Sequence, residues 1–470
     1  MILWCALAAH ATEAPPDRSA PPAVGMPVPL VHPEPEVHVL APGRTVWHVR
    51  VPDSYEQIVD VVLDGGLIER FGAPTPSGQA MGWLADVAAG SYTPAAMSEA
   101  TDLHGIALVS EISRHQGGVS LAVPLTELAT GLALQKLVLS APKFPARQIT
   151  QYARDRRHGY HVSGPASPGR VANSALEYGW TSADHPYGTR PDLAGIFAVR
   201  RPMLVDAWSA WLSSTPATAL VVGDAEWESL EAPLRDTLTG VGAPGDSAVP
   251  LDVPARTGTR VLAVDMPGQS QVSVLLRTAA PARDDPDRVA VQAAVWVLGG
   301  HFLSRLNTVI REERGLAYGA GARSAHGARR GAVVVQTNVD AGSVAEVVEV
   351  IEAQLLRIAE EGVTAEELQT ASRAAIQDWN LALQTAQRAS GLYRQVLRER
   401  TTVEALRQRL IAGASLTSEG TQESAASWLA PGSRRLWVFA GDRELLAAEL
   451  DAAGLHPEWL TPGQAILGTF

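Results

Sequence analysis

Two pairs of apolar segments, about 215 residues apart, decide the fold. The first pair is Val46–Pro52 (VWHVRVP) and Gln57–Leu63 (QIVDVVL), and the second pair is Val261–Pro267 (VLAVDMP) and Gln271–Leu276 (QVSVLL). Each pair has the pattern of an apolar strand, a turn that contains proline, and a second apolar strand. Because both pairs keep one register, the sequence predicts that a single structural unit occurs twice.

The ends of the two units match as well. Ala219–Asp224 (ALVVGD) corresponds to Leu436–Asp442 (LWVFAGD), and in both segments an apolar strand ends in Gly-Asp. Strands come first in each half, helical segments follow, and a strand and a closing helix come last, which is the order of an α+β protein. We therefore predict two similar domains at 44–239 and 258–470, each a mostly antiparallel sheet with helices packed on it. A linker rich in Gly and Pro joins them at 240–257.

Local signals place several elements of the second half. Asp285-Pro286 predicts the start of a helix that runs to Gly299-Gly300. Ser343–Glu346 and Thr364–Glu367 have the spacing of capping boxes, in which each end of the motif satisfies the other's backbone donor. Arg330–Asn338 has the apolar content of a strand.

Residues 1–43 have the composition of a signal remnant followed by a tether. The first residues are apolar and end in Ala9-His10-Ala11, an A-x-A cleavage pattern that lacks the usual positively charged start. Residues 12–43 contain nine prolines, which favour an extended, semi-rigid chain. We expect a periplasmic or otherwise exported protein, and a cytoplasmic protein with an irregular N-terminus is the alternative.

Composition excludes several classes of function. The 470 residues include 38 Lys and Arg against 50 Asp and Glu, for a formal net charge of −12. An acidic chain without a basic cluster is unsuited to nucleic acid, which is bound by clustered cations. No apolar run is long enough to span a membrane. A single cysteine, Cys5, excludes an intramolecular disulfide and a cysteine-based zinc cluster.

The segment richest in chemistry is Gly299–Tyr318 (GGHFLSRLNTVIREERGLAY). It has the pattern of a helix that ends at Gly315, with a strand that starts near Tyr318. Arg311 and Tyr318 flank the turn, and a guanidinium and a phenol are suitable donors to a peptide carbonyl or a developing oxyanion. The alternative is structural: Arg311 interacts with the helix C-terminus and Tyr318 packs in the core.

This segment, with G-G-x-F-x-S-R-L-N followed by R-E-x-x-G-L-A-Y, resembles the second-domain signature of the pitrilysin/insulinase family of zinc peptidases. The duplication, the loop His185–Gly188 (HPYG) and the two strand-Gly-Asp endings are similar to that family too, over about 44–460. The resemblance implies two α+β domains that form half of a clamshell. It also implies that Arg311 and Tyr318 hold a peptide substrate at a zinc site borne by another domain or chain.

The family's own zinc motif, G-x-A-H-x-x-E-H, is lost from the first half. Gly78–Ala85 (GQAMGWLA) keeps the glycine and the first alanine, but Met81, Leu84 and Ala85 replace the two ligands and the general base.

No glutamate lies between Glu127 and Glu177, where the third ligand is expected, and Asp155, His158 and His161 in that window are expected to be solvated. The other histidines suggest no replacement site, since they lie in the predicted tether or have no partner one turn away: His32, His38, His104, His115, His301 and His326. We expect no metal or cofactor in this chain.

The resemblance therefore implies a non-catalytic member of the family, a pseudoenzyme that is inactive alone. Its expected role is to supply Arg311 and Tyr318 to a homologous zinc-bearing peptidase chain in a heterodimer. A scaffold protein without peptidase activity is one alternative, and a peptide-binding protein that works alone is another.

Overall fold

The computed structural model describes residues 25–245, 251 and 258–470. Within these residues, twelve strands form two six-stranded sheets. The first sheet has the order β1-β2-β6-β3-β5-β4, and its strands are β1 (Glu36–Ala41), β2 (Arg44–Arg50), β3 (Glu56–Leu63), β4 (Ala107–Ile112), β5 (Gly117–Pro124) and β6 (Ala217–Gly223). The second has the order β12-β7-β11-β8-β10-β9, and its strands are β7 (Thr259–Asp265), β8 (Gln271–Ala280), β9 (Ala320–His326), β10 (Gly331–Asp340), β11 (Arg435–Gly441) and β12 (Glu458–Leu460).

The two sheets confirm the repeat and the α+β class. Strand β2 lies parallel to β6, and β7 lies parallel to β11, while the pairs on the other side of β6 and β11 are antiparallel. The two sheets differ at one edge. In the first sheet, β1 forms an antiparallel hairpin with β2, whereas in the second sheet the C-terminal β12 lies parallel to β7.

Eighteen helices within the described residues complete the two halves. The helices of the first half are α1 (Leu67–Phe71), α2 (Pro76–Leu84), α3 (Pro94–Leu103), α4 (Leu128–Ser140), α5 (Ala146–His158), α6 (Pro168–Trp180), α7 (Leu193–Ala198), α8 (Arg201–Ser214) and α9 (Trp227–Thr237). Those of the second half are α10 (Arg288–Gly299), α11 (Arg305–Asn307), α12 (Val344–Glu361), α13 (Ala365–Asn380), α14 (Ala386–Glu399), α15 (Val403–Ala414), α16 (Ser418–Leu429), α17 (Arg443–Ala452) and α18 (Pro462–Leu467). None of them is long and apolar enough to cross a membrane.

Both faces of each sheet are buried along its central strands, which explains the continuous apolar runs of those strands. Along β11, Trp437 and Phe439 point into the core that the second half's own helices form. The alternate residues Leu436, Val438 and Ala440 point to the opposite face and belong to a separate core cluster. The two-residue period of the strand thus divides its side chains between two apolar environments.

A helix from the opposite half covers the second face of each sheet. Helix α6, from the first half, packs on the second sheet through Val171, Ala175 and Leu176. Helix α14, from the second half, packs on the first sheet. On that side, buried Ser390 donates a hydrogen bond of 2.6 Å to the buried carboxylate of Asp60 on β3.

The prediction of a tether is wrong for residues 25–41. Prolines hold this stretch extended, but its carbonyls accept hydrogen bonds from second-half side chains, including Tyr393 to Pro33 (2.7 Å) and Trp379 to Leu30 (2.8 Å). The carboxylate of Glu34 accepts from the backbone N–H of Glu404 at 2.9 Å, at the start of α15. Strand β1 follows directly, so His32 and His38 are held in fixed positions. The predicted signal remnant at 1–11, the tether residues 12–24 and most of the linker at 240–257 lie outside the described residues.

One of the two predicted capping boxes forms. Thr364 and Glu367 satisfy each other's backbone donors at the start of α13. The Ser343 side chain makes no cap hydrogen bond, and Glu346 pairs with Arg314 at 2.8 Å rather than with the backbone of Ser343. The backbone N–H of Ala345 is satisfied by Glu449.

A buried ionic cluster anchors the end of α14. Glu399 accepts hydrogen bonds from Arg288 of α10 (3.0 and 3.1 Å), from Gln395 (2.9 Å) and from Arg409 of α15. Burial acts to raise the pKa of Glu399, but these hydrogen bonds outweigh it and lower the pKa from 4.5 to about 2. The helix that crosses to the first sheet is therefore tied to its own half by a charged carboxylate.

Since the folded pKa lies below the ordinary value, Glu399 stabilises the fold fully above about pH 5, and this contribution declines as the pH falls from 4.5 toward 2. We predict that Glu399→Gln lowers the unfolding free energy by about 3 kcal/mol at pH 7. The difference from wild type should shrink as the pH falls through that range, as measured by denaturant unfolding.

The matched control is Glu361→Gln, which removes the exposed partner of Arg357. This change should cost less than about 0.5 kcal/mol. An equal loss of unfolding free energy in both variants would show that the buried cluster stabilises the fold no more than an exposed ion pair does.

Candidate functional site

Several residues of the signature at 299–318 build a rigid platform. Arg305 makes a bidentate ion pair with Glu367 of α13, with both N–O distances 2.7 Å. Leu306 is fully buried in the second core. A side chain at Gly299 would collide with the backbone of Ala322 at 2.4 Å, so glycine is required for the close approach of α10 to β9.

The segment after the platform is shaped by Asn307 and Gly315. Helix α11 continues into a π-helical turn at Thr308–Glu313, and Gly315 follows with a φ of +64°. The Asn307 side chain accepts a hydrogen bond from the N–H of Ala320 (2.8 Å) and donates one to the carbonyl of His301 (3.2 Å). Asn307 thus holds the two ends of the loop together.

Three signature residues with no core role meet on the surface of this platform. The guanidinium carbon of Arg311 lies 4.4 Å from the ring centre of Phe302 and 5.0 Å from that of Tyr318. Tyr318 is 90% exposed and Phe302 is 60% exposed. The rings hold the Arg311 side chain by cation–π contacts, and Nε of Arg311 also lies 3.2 Å from Glu312. We call Phe302, Arg311 and Tyr318 the aromatic clamp.

The structure brings Arg311 and Tyr318 together, as the sequence predicts, but differs in two details. The strand starts at Ala320 rather than at Tyr318, and the helix before Gly315 is a short α-helix with a π-turn. The structural alternative for Tyr318 is wrong, because its side chain is outside the core. Sequence reasoning missed Phe302, whose signal was its place in the signature.

The residues at the positions of the zinc motif are buried in the hydrophobic core of the first half. Met81 and Ala85 are fully buried and Leu84 nearly so, all within the core cluster of the first half. Their side chains offer no nitrogen or oxygen ligand. The residues at this family position therefore do not fit a zinc ion, and no catalytic step can run through one there.

A cleft of about 780 Å³ lies beside α2, lined by Trp83, Leu84, Tyr152 and Asp155 among others. Its lining includes one carboxylate, Asp155, and no histidine. Asp155 accepts a hydrogen bond from Gln151 at 2.7 Å. His158 and His161 are exposed and line a separate surface depression with Arg154 and Arg157. This region could hold a small polar group, but it lacks a metal-ligand set.

The burial of the old motif gives a direct test. Met81→His places an imidazole in a fully buried apolar site and should lower the unfolding free energy by about 3 kcal/mol. Trp83→His, on the exposed side of the same helix, should cost less than about 1 kcal/mol. Thermal unfolding of both variants measures the difference, and equal melting temperatures would contradict the packing described here.

Residues 198–375 match the family described as "Peptidase M16 inactive domain". No curated protein matches the chain. A peptidase M16 inactive domain protein from Pseudomonas fluorescens has a similar structure, with 19% identity, a TM-score of 0.77, and coverage of 87% of this chain and 98% of its own.

Two proteases have similar structures as well. One is from Helicobacter pylori, with 18% identity and a TM-score of 0.72, matched over 87% of this chain and 100% of its own. The other is the periplasmic protease PqqL from Escherichia coli, with 14% identity and a TM-score of 0.69. Its match covers 92% of this chain but 49% of PqqL. Residues 198–375 thus resemble a peptidase M16 inactive domain, and the similar structures show that the chain shares their fold.

Proposed function

We propose that the chain is a non-catalytic subunit of a zinc metallopeptidase heterodimer, in which a homologous partner chain carries the zinc site. In this proposal, Arg311 and Tyr318 bind the peptide substrate. The observation that carries the proposal is the aromatic clamp, in which a guanidinium is held between two exposed rings. The old zinc position in the same chain is filled by apolar side chains.

Some residues of the signature have structural contacts and others do not, and this difference supports a binding role. Arg305, Leu306 and Asn307 have structural contacts that account for their presence. Phe302 and Tyr318 lie exposed and contribute nothing to the core. Exposed aromatic rings beside a guanidinium are suited to polypeptide, since the rings pack on side chains and the guanidinium donates to backbone carbonyls.

The match with PqqL supports a partner. It covers 92% of this chain and 49% of PqqL, so the rest of PqqL has no counterpart among the matched residues. PqqL is a periplasmic protease, and the A-x-A pattern at residues 9–11 agrees with export of this chain. A chain with hydrogen-bond donors and no zinc ligands at the family position is suited to face a homologous chain that has those ligands.

The main test is Tyr318→Phe in the reconstituted pair. The ring and its contact with Arg311 are kept, and only the hydroxyl is lost, so the fold should be unchanged. If the hydroxyl donates to a developing oxyanion, kcat should fall about a hundredfold, which corresponds to about 3 kcal/mol. Tyr55→Phe is the control, since Tyr55 is also exposed but lies in the first half.

Arg311→Lys complements this test. Lysine keeps the positive charge but lacks the planar fork that donates two parallel hydrogen bonds and stacks on rings. We expect a higher KM, a lower kcat, or both, with no change in melting temperature. Unchanged kinetics in both Tyr318→Phe and Arg311→Lys would contradict the binding role and favour a scaffold protein. Peptide binding by the chain alone, with affinity lost in both variants, would favour a binding protein that works without a partner.

A further inference from the structure

We propose that the β1–β2 hairpin holds a divalent transition-metal ion through Glu36, His38 and His48. One ligand atom from each of these residues lies within 4.8 Å of the others. The site belongs to the edge of the first sheet, and it is separate from both the lost zinc motif and the aromatic clamp. It is at variance with the expectation from sequence that this chain holds no metal, which assumed that His38 lies in a tether.

The hairpin fixes the three side chains on one face. Glu36 of β1 lies directly opposite His48 of β2 in the antiparallel register. His38 is two residues after Glu36, and side chains two apart along a strand point to the same side. The sequence spacing hid this arrangement, because ten residues separate His38 from His48 and only the register brings them together.

His48 is oriented as a ligand. Its ring is 5% exposed, and Nε2 lies 3.0 Å from the carbonyl oxygen of Ala225. A carbonyl can only accept, so Nε2 carries a proton, and in the neutral imidazole Nδ1 carries the lone pair. Nδ1 is buried and has no hydrogen-bond partner among the described residues. Metal-binding histidines commonly donate their second ring nitrogen to a backbone carbonyl in this way.

His38 is held just as firmly. Its ring stacks on Trp227 with the centres 3.6 Å apart and an angle of 4° between the planes. Nε2 of His38 is also buried and without a hydrogen-bond partner in the described part of the chain. Two buried imidazole nitrogens without hydrogen bonds, aimed at one carboxylate, are costly unless something binds them.

The distances suit a small ion. Oε2 of Glu36 lies 3.7 Å from Nε2 of His38 and 3.7 Å from Nδ1 of His48. Ligand bonds of roughly 2.0–2.1 Å in a tetrahedral zinc site separate the ligand atoms by roughly 3.3–3.4 Å. The Glu36 side chain is 71% exposed and free to close this small gap. Two imidazoles and a carboxylate favour zinc or a neighbouring metal such as cobalt, and leave a fourth position for water.

The test uses the full chain without an affinity tag and with Cys5→Ser, so that no thiol competes. After metal removal, equilibrium dialysis against micromolar Zn²⁺ should give close to one zinc per chain. Glu36→Gln and His48→Gln should each weaken binding by about tenfold or more. Co²⁺ in place of Zn²⁺ should give the visible absorption of a tetrahedral site, and this should be lost in both variants.

The control is His104→Gln, which removes another histidine that contacts a carboxylate, Glu127, at 2.9 Å, but belongs to no group of three possible metal ligands among the described residues. Zinc binding should be unchanged in this variant. Should His48→Gln fail to fold, Glu36→Gln decides alone, since its side chain is exposed. The proposal is overturned if wild type takes up no stoichiometric zinc, or if zinc binding in Glu36→Gln equals that of wild type.

Discussion

The structure depends on one constraint: each sheet has two apolar faces, and each half can cover only one of them with its own helices. Strand β11 shows this, since Trp437 points to one core and Val438 to another. Helices α6 and α14 cross to the opposite sheet and cover the remaining faces. Each buried apolar side chain on such a face contributes roughly 1.5–3 kcal/mol. Neither half would therefore keep both faces of its central strands buried without the other.

Because helices α6 and α14 cross between the halves, the polar groups that they bury there need hydrogen-bond partners from the opposite half. Asp60 is a carboxylate in the middle of the first sheet, and Ser390 of the crossing helix satisfies it. Residues 25–35 reinforce the same junction by binding along α13, α14 and α15. A second half stabilised in this way can leave large aromatic side chains on its surface. The packing of the two halves therefore permits the exposed rings of the aromatic clamp but does not require them.

The sequence predicted the parts of the fold that depend on local pattern. The strand pairs around Pro52 and Pro267, the strand-Gly-Asp endings and the helix opened by Thr364 all follow from periodicity, turns and caps. The crossing of α6 and α14 could not be predicted, because an amphipathic helix does not reveal which sheet it will cover. The proline-rich segment was misjudged for a related reason, since its partners Trp379 and Tyr393 lie 349 and 360 residues away in the sequence.

For the candidate sites too, local pattern predicted the contacts between residues close in sequence but not those between distant residues. Arg311 and Tyr318 are seven residues apart, and a helix followed by a turn brings them together, so local reasoning sufficed. Phe302 is nine residues before Arg311, and the hydrogen bonds of Asn307 to His301 and Ala320 hold the ends of this loop together. His38 and His48 meet because of a strand register, and Trp227 joins them from a helix almost 180 residues later.

The central claim is that this chain acts with a zinc-bearing homologue. Affinity purification of the full chain from its native source, with identification of the co-purified proteins and assay of peptidase activity, tests it most directly. The account predicts a second chain of similar length that carries H-x-x-E-H, together with activity that neither chain has alone. Recovery of a monomer or homodimer with no such companion, from a source whose genome encodes no such homologue, would contradict it.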